Sequence, residues 1–358
     1  MSEQQAGKTT QPAAAPTSKG LGGVPRGTAS PVVSVVVPTR NRARLLREVI
    51  EALFEQEFDP QAFELIVVDN LSTDGTEALV SDLAARAPFR VRYRRMPVDR
   101  GPVYSRNEGA AMAEGEVIAF TDSDCRPGRD WLREALRPFA DATVGLVSGP
   151  VLYKPGQPVR FFSRASGEAR KEHPTYPTAN ALYRRGVFLA LGGFDTRLTF
   201  RSFRNRPVEC ADSDLALRLI EAGHGNVFVP EAVVYHEVER LPPVSWAMEP
   251  FRLFVVPALV RRHPVLRRRL LTWRIFFQRE NAWFYLAVLA AASAGFTHWS
   301  ALAGVLPFVG WASRAGNPRL GWRDLPKMAA RTMLLAARHA CMCAGLVYGS
   351  LRFRSLVL

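Results

Sequence analysis

Between residue 31 and about residue 140 the apolar positions switch repeatedly between short continuous runs and a helical three-to-four repeat. Val32–Val37 sets five valines around Ser34, the mark of a strand covered on both faces. Pro38-Thr-Arg-Asn-Arg42 breaks the run, and Ala43–Gln56 follows with helical spacing. Glu64–Asp69 (ELIVVD) is the next predicted strand, and Asn70–Gly75 (NLSTDG) is a turn leading into a helix. Arg90–Met96 reads as a third strand, Val103–Ala113 as a helix and Val117–Thr121 as a fourth strand. This alternation predicts an α/β fold with a mainly parallel central sheet.

The chain changes character after about residue 240. Phe251–Arg279 carries eight arginines and no acidic residue, interleaved with Leu, Val, Phe and Trp. Trp283–Ser313 contains no Asp, Glu, Lys or Arg, although Gly295–Ser300 and Pro307 interrupt it. As one helix that stretch would exceed the roughly 20 residues needed to cross a bilayer. Arg267–Arg269, Arg274 and Arg279 precede it, and Arg314, Arg319, Arg323 and Lys327 follow. Basic flanks favour the cytoplasm, so a helical hairpin fits where a single crossing does not. Met333–Tyr348 is apolar too, but Arg338 and His339 inside it argue against a span. The competing reading is a soluble helical bundle covering an oligomer interface.

Composition narrows the partners. An apolar fraction of 47% is ample for a core, and a net charge of +14 calls for something anionic: nucleic acid, an anionic membrane or a phosphorylated substrate. The arginines cluster beside apolar segments and not beside aromatic stacking platforms, which argues against nucleic acid. Cys125, Cys210, Cys341 and Cys343 are too sparse for a disulfide framework, and a reducing compartment fits them best. Residues 1–30 are Ala, Pro, Thr, Ser, Gly and Gln-rich, a composition expected to stay disordered, and they show no secretory signal pattern. The expected organisation is a tail over 1–30, an α/β domain over 31–240, and a basic, apolar helical region over 241–358 associated with the membrane.

In open parallel sheets ligands bind beyond the carboxyl ends of the strands. Thr39, Asp69 and the pair Asp122 and Asp124 in VIAFTDSDCRP all fall just past such ends. Asp-x-Asp alone is weak, and a second copy, Asp212-Ser-Asp214, occurs in the same chain. At a strand end, however, two carboxylates suit a hard divalent cation whose other oxygen ligands come from water and a diphosphate.

The segments SVVVPTRNR (Ser34–Arg42), ELIVVDNLSTDGT (Glu64–Thr76), GPVYSRNEGAA (Gly101–Ala111) and VIAFTDSDCRP (Val117–Pro127) occur in order. NALYRRGVFLALGGFDTRL (Asn180–Leu198), ADSDLALRLIEAGH (Ala211–His224) and VPEAVVYHEV (Val229–Val238) follow them. Over about residues 31–240 the chain resembles the family-2 glycosyltransferases with the GT-A fold. The resemblance implies that Pro38 and Thr39 line a nucleoside pocket, that Asp69 holds the base or ribose, and that Arg106 approaches the nucleotide. It makes Asp122 and Asp124 the metal and diphosphate site, with His236 facing metal or phosphate, and a divalent cation (Mn or Mg) the cofactor. Asp212 matches the second residue of the family's acidic pair, where the catalytic base sits, with Glu209 the next candidate. Two positions depart from the family pattern: Leu71 stands where a small residue is usual, and Ala211 replaces the first acid of the pair. Thr196–Glu209 (TRLTFRSFRNRPVE) reads as an unusually basic acceptor-side loop.

The expected activity is inverting, metal-dependent transfer from a nucleoside-diphosphate sugar to a lipid-linked or membrane-proximal glycan acceptor, at the cytoplasmic face of the membrane. Gln278-Arg-Glu-Asn-Ala-Trp283 is only a loose echo of Q-x-x-R-W, which argues against a processive synthase. The alternative is a catalytically silent nucleotide-sugar-binding membrane scaffold; intact Asp122, Asp124 and Asp212 favour the enzyme, since a scaffold has no chemical use for a base at Asp212.

Overall fold

The structure is a computed structural model and describes residues 31–164, 168–202, 207–294, 296, 298–315 and 325–358. The expected disordered tail, Arg319, Arg323 and part of the basic Thr196–Glu209 loop lie outside the described residues. The described residues form twelve strands: β1 (Val33–Thr39), β2 (Phe63–Asp69), β3 (Arg90–Arg95), β4 (Val117–Phe120), β5 (Cys125–Pro127), β6 (Val144–Ser148), β7 (Val151–Tyr153), β8 (Ala181–Arg184), β9 (Thr199–Arg201), β10 (Pro207–Glu209), β11 (Gly225–Phe228) and β12 (Val234–His236). The α-helices are α1 (Ala43–Phe54), α2 (Thr76–Arg86), α3 (Pro102–Met112), α4 (Trp131–Leu136), α5 (Arg185–Ala190), α6 (Ala211–Glu221), α7 (Pro243–Met248), α8 (Val256–Arg262), α9 (Leu266–Arg269), α10 (Arg279–Ala294), α11 (Leu306–Arg314) and α12 (Leu325–Phe353).

Seven strands form the central sheet in the order β11-β6-β8-β4-β1-β2-β3. The pairs β1–β2, β1–β4, β2–β3 and β6–β11 are parallel, while β8 runs antiparallel to both neighbours. This is the mainly parallel sheet predicted from the alternating pattern. The valines of β1 are fully buried because helices cover both faces, with Leu46, Val49, Ile50 and Leu53 of α1 buried on one of them. On the other, a Cβ added at Gly109 of α3 would lie 2.4 Å from Val36 Cγ1, so only glycine lets α3 ride this close to β1. That contact carries Arg106 toward the carboxyl edge of the sheet. A second sheet, β5-β12-β7, sets His236 opposite Cys125, beside the turn that holds Asp122 and Asp124.

The C-terminal helices share a core with the α/β part: Phe254, Leu259, Leu346 and Val357 belong to the same buried cluster as Val36, Phe120 and Leu215. Here the expectation of a spanning hairpin over Trp283–Ser313 is corrected. The run divides into α10, of 16 residues, and α11, of 9 residues, joined by a 3-10 turn over Trp299–Val305. At 1.5 Å per residue these reach about 24 Å and about 14 Å, short of a hydrocarbon core of about 30 Å. Among the described residues one helix, Pro326–Phe353, is long and apolar enough to cross a membrane, and 39% of its most apolar window is buried in the protein. This is the segment in which Arg338 and His339 argued against a span. Arg338 stacks over Trp246 at 4.5 Å and reaches Glu249 at 3.2 Å, while His339 is buried beside Phe308 and Trp311. Arg338 and His339 therefore face protein.

Candidate active site

Three parallel strands end together. Thr39 pairs with Asp69 at the last position of β1 and β2, and Asp69 pairs with Arg95 of β3. Pro38 and Thr39 are buried, and the Thr39 hydroxyl has no hydrogen-bond partner among the described residues. Asp69 is fully buried: one oxygen accepts the Ser72 N–H at 2.8 Å, and the other accepts the Tyr93 hydroxyl at 2.6 Å. In this structure Asp69 braces the turn over residues 70–75, and its carboxylate is sealed from the crevice. Leu71, at the apex of that turn, has φ +62°, a left-handed conformation uncommon for a side chain of its size. The departure seen in the sequence thus falls where backbone strain favours a small residue.

Asp122 and Asp124 follow β4 and each faces a guanidinium. Arg106 of α3 donates to Asp122 at 2.6 Å, and Arg42, just before α1, donates to Asp124 at 2.6 Å. Burial pushes Asp122 upward, but the Arg106 charge and hydrogen bond outweigh it and hold the carboxyl below its usual range. His236 Nε2 lies 3.7 Å from Asp124 Oδ1, and its Nδ1 sits 2.6 Å from the Glu237 carbonyl, which only an N–H can satisfy. With Nδ1 donating there, Nε2 is the ring atom turned toward Asp124 and the one that could offer a lone pair to a metal. Ligand atoms of Asp124, Cys125 and His236 all lie within 4.8 Å of one another. Burial, with the charges of Asp122 and Asp124 adding, pushes the Cys125 thiol far up, which disfavours its thiolate. What remains is a carboxylate and imidazole set, with Asp122 adjacent, which suits a hard divalent ion completed by phosphate oxygens.

The acceptor side comes from α6. Asp212 lies in its first turn, partly exposed, with its carboxylate accepting the Ser213 N–H at 2.8 Å. Burial pushes Asp212 above the usual carboxylate range, more than offsetting the Ser213 amide and Arg106, and the Asp122 charge adds to it. Asp214, two residues on, is fully buried and bound by Arg218 and Arg262 at 2.8 Å and His263 at 3.0 Å, so it fixes α6 to α8. Glu209 reaches Arg106 at 3.7 Å. The fold therefore gathers Asp122, Arg106, Glu209 and Asp212 around one guanidinium, and Asp124, His236 and Arg42 beside them. Arg42 was absent from the candidates read in the sequence. Its position directly beyond the strand end was the available signal, but in a chain with 47 lysines and arginines that signal is faint.

Residues 34–194 match the family model for glycosyl transferase family 2. The chain is 31% identical over 254 residues to the pre-mycofactocin glycosyltransferase of Mycobacterium tuberculosis, an alignment covering 67% of this chain and 50% of that protein. It is 27% identical over 239 residues to the glucosyl-dolichyl phosphate glucuronosyltransferase of Haloferax volcanii, covering 62% of this chain and 74% of that one. The chain spans about half the length of the Mycobacterium relative. Among solved structures, mannosyltransferase PcManGT from Pyrobaculum calidifontis, in complex with GDP-Man and Mn2+, superposes with a TM-score of 0.55 at 25% identity, covering 91% of this chain and 88% of that one. Through the domain that contains residues 34–194, the chain belongs to the family-2 glycosyltransferases and has their GT-A fold.

Proposed function

We propose that the protein transfers a sugar from a nucleoside-diphosphate sugar to a hydroxyl of a lipid-linked or membrane-proximal glycan acceptor, with inversion and with the help of a divalent cation. The observation that carries this reading is the meeting of Asp122, Arg106 and Asp212 at the carboxyl edge of the sheet. Asp124, His236 and Asp122 would hold the cation, Mn or Mg, which when bound supplies positive charge against the departing diphosphate. Arg106 and Arg42, each on an aspartate, are cations already aimed at the same place, and the nucleoside would lie along Pro38 and Thr39. Asp212, as general base, would take the proton of the acceptor hydroxyl as its oxygen bonds to the anomeric carbon. The bond from that carbon to the diphosphate oxygen breaks with its electron pair, releasing the nucleoside diphosphate. A carboxylate raised by burial is a stronger base than an exposed one, which is the use of its setting.

A membrane location has two supports. The stretch 251–279 carries eight arginines, and the C-terminal region leaves large apolar residues exposed, Trp273 at 66%, Phe296 at 92% and Trp299 at 73%. The Haloferax relative is named for a dolichyl phosphate sugar, a lipid-linked acceptor. The deciding experiment is a thermal-shift screen of UDP-, GDP- and dTDP-sugars with and without manganese, followed by transfer to a membrane lipid extract. Stabilisation by one nucleotide sugar, enhanced by manganese, is the expected result; no response to any donor would reject the reading.

A further inference from the structure

We infer that Glu209 is a positioning residue that ties the acceptor side of the site to the donor helix α3. This rests on the transfer reaction proposed above. Glu209 ends β10, whose antiparallel partner β9 sets Thr199 opposite it. It precedes Cys210, the cap residue of α6, and stands three positions before Asp212. Across the crevice, α3 begins at Gly101 with no side-chain cap of its own. Glu209 supplies one from 106 residues away: its Oε1 accepts the Val103 N–H at 3.4 Å. The approach is close, because a Cβ added at Gly101 would lie 3.2 Å from that same oxygen. The other oxygen, Oε2, lies 3.7 Å from Arg106, one turn further along α3.

A single carboxylate thus grips α3 at its first turn and at its guanidinium. Burial pushes the Glu209 carboxyl up to about 7, and Arg106 with the helix's exposed amides favours its ionised form. Arg106 in turn donates to Asp122, so one line of contacts runs from the segment that leads into Asp212, through Glu209 and Arg106, to the donor carboxylate. With Ala211 in place of the first acid before Asp212, Glu209 is the acidic side chain in this stretch that reaches α3. Its function is to hold the first turn of α6 at a fixed distance from the donor, so that the base meets the acceptor hydroxyl while the sugar is in place.

The test is E209Q in the full chain. The amide oxygen of glutamine can still accept from Val103, but the charge facing Arg106 is gone. At saturating donor and acceptor, kcat should fall by about tenfold, while the dissociation constant of the donor, read by calorimetry, stays within about twofold of wild type. The melting temperature separates a folding defect from a positioning one. Wild-type kcat in E209Q overturns the inference, whether or not its melting temperature has dropped. So does an equal loss of donor affinity and kcat in a variant that melts like wild type, since Glu209 would then belong to the donor pocket. A wild-type protein that transfers no sugar would instead reject the proposed reaction itself.

Discussion

At the scale of single residues, the roles of Asp212 and Asp124 separate cleanly. Asp212 sits in the first turn of α6 with one local hydrogen bond, so removing its charge leaves donor contacts in place. Asp212→Asn should keep donor affinity near wild type and lower kcat by about a hundredfold or more, measured by steady-state and binding assays on the same preparation. Its raised proton affinity also sets a pH dependence. The base works ionised, so transfer falls as pH drops, and it falls at a higher pH than an exposed aspartate would give, because burial favours the protonated form. A kcat profile that stays flat down to the ordinary carboxylate range would reject Asp212 as the base. Asp124→Asn should leave donor binding weakened and insensitive to manganese, since His236 and Asp122 then lack the carboxylate between them; titration calorimetry with and without the metal reads this directly. The sequence exposed Asp69, Asp122 and Asp124 because each follows a predicted strand, and Asp212 through the family resemblance. It could not show that Asp69 is sealed by Ser72 and Tyr93 while Asp122 and Asp124 remain partly exposed.

Among the elements, α12 is where pattern and structure part. Its length and apolarity pass the test for a membrane span, yet a Cβ added at Gly349 would lie 2.1 Å from the Phe254 carbonyl oxygen, and one at Gly345 2.6 Å from that of Phe251. Two glycines one turn apart let α12 lie directly on the 3-10 stretch Glu249–Val255. Gly349→Leu must push those backbones apart, and should destabilise the protein by about 1–3 kcal/mol, seen as a lower melting temperature in detergent. An unchanged melting temperature would mean that α12 is not docked there. Strand and helix types from residue 31 to 121 were legible because each segment's apolar spacing matches one period and is bounded by Pro, Gly or Asn. The short strands β5, β7 and β12 were not, because three residues hold too little periodicity to register.

For the whole molecule, the question is how the site is held near its acceptor. The C-terminal helices share the core of the α/β part, and Asp214 binds Arg262 and His263 across that junction. Arg252, Arg262 and Arg269 are already held by Glu249, Asp214 and Glu172. Under the proposed membrane location, the exposed Arg261, Arg268, Arg274 and Arg279 would offer guanidinium groups to anionic headgroups, each worth about 1 kcal/mol near the surface. Full-length protein should therefore sediment with membranes at low salt and in the absence of detergent. Recovery in the soluble fraction would remove the membrane from the proposal and favour a soluble helical bundle.

Read along the chain alone, the alternating α/β pattern, the strand-end aspartates, the family resemblance and the basic, apolar character of the last third are all visible. All of these are local, written in spacing and composition. Tertiary structure decided which carboxylates meet which cations, because Arg106 and Glu209 come from segments 103 residues apart and Arg42 and Asp124 from segments 82 apart. It also decided that the longest apolar helix turns its Arg338 and His339 to protein partners. Pairings at such distances follow from how the sheet orders its strands and how closely helices lie upon them. Neither is encoded at any one position of the chain.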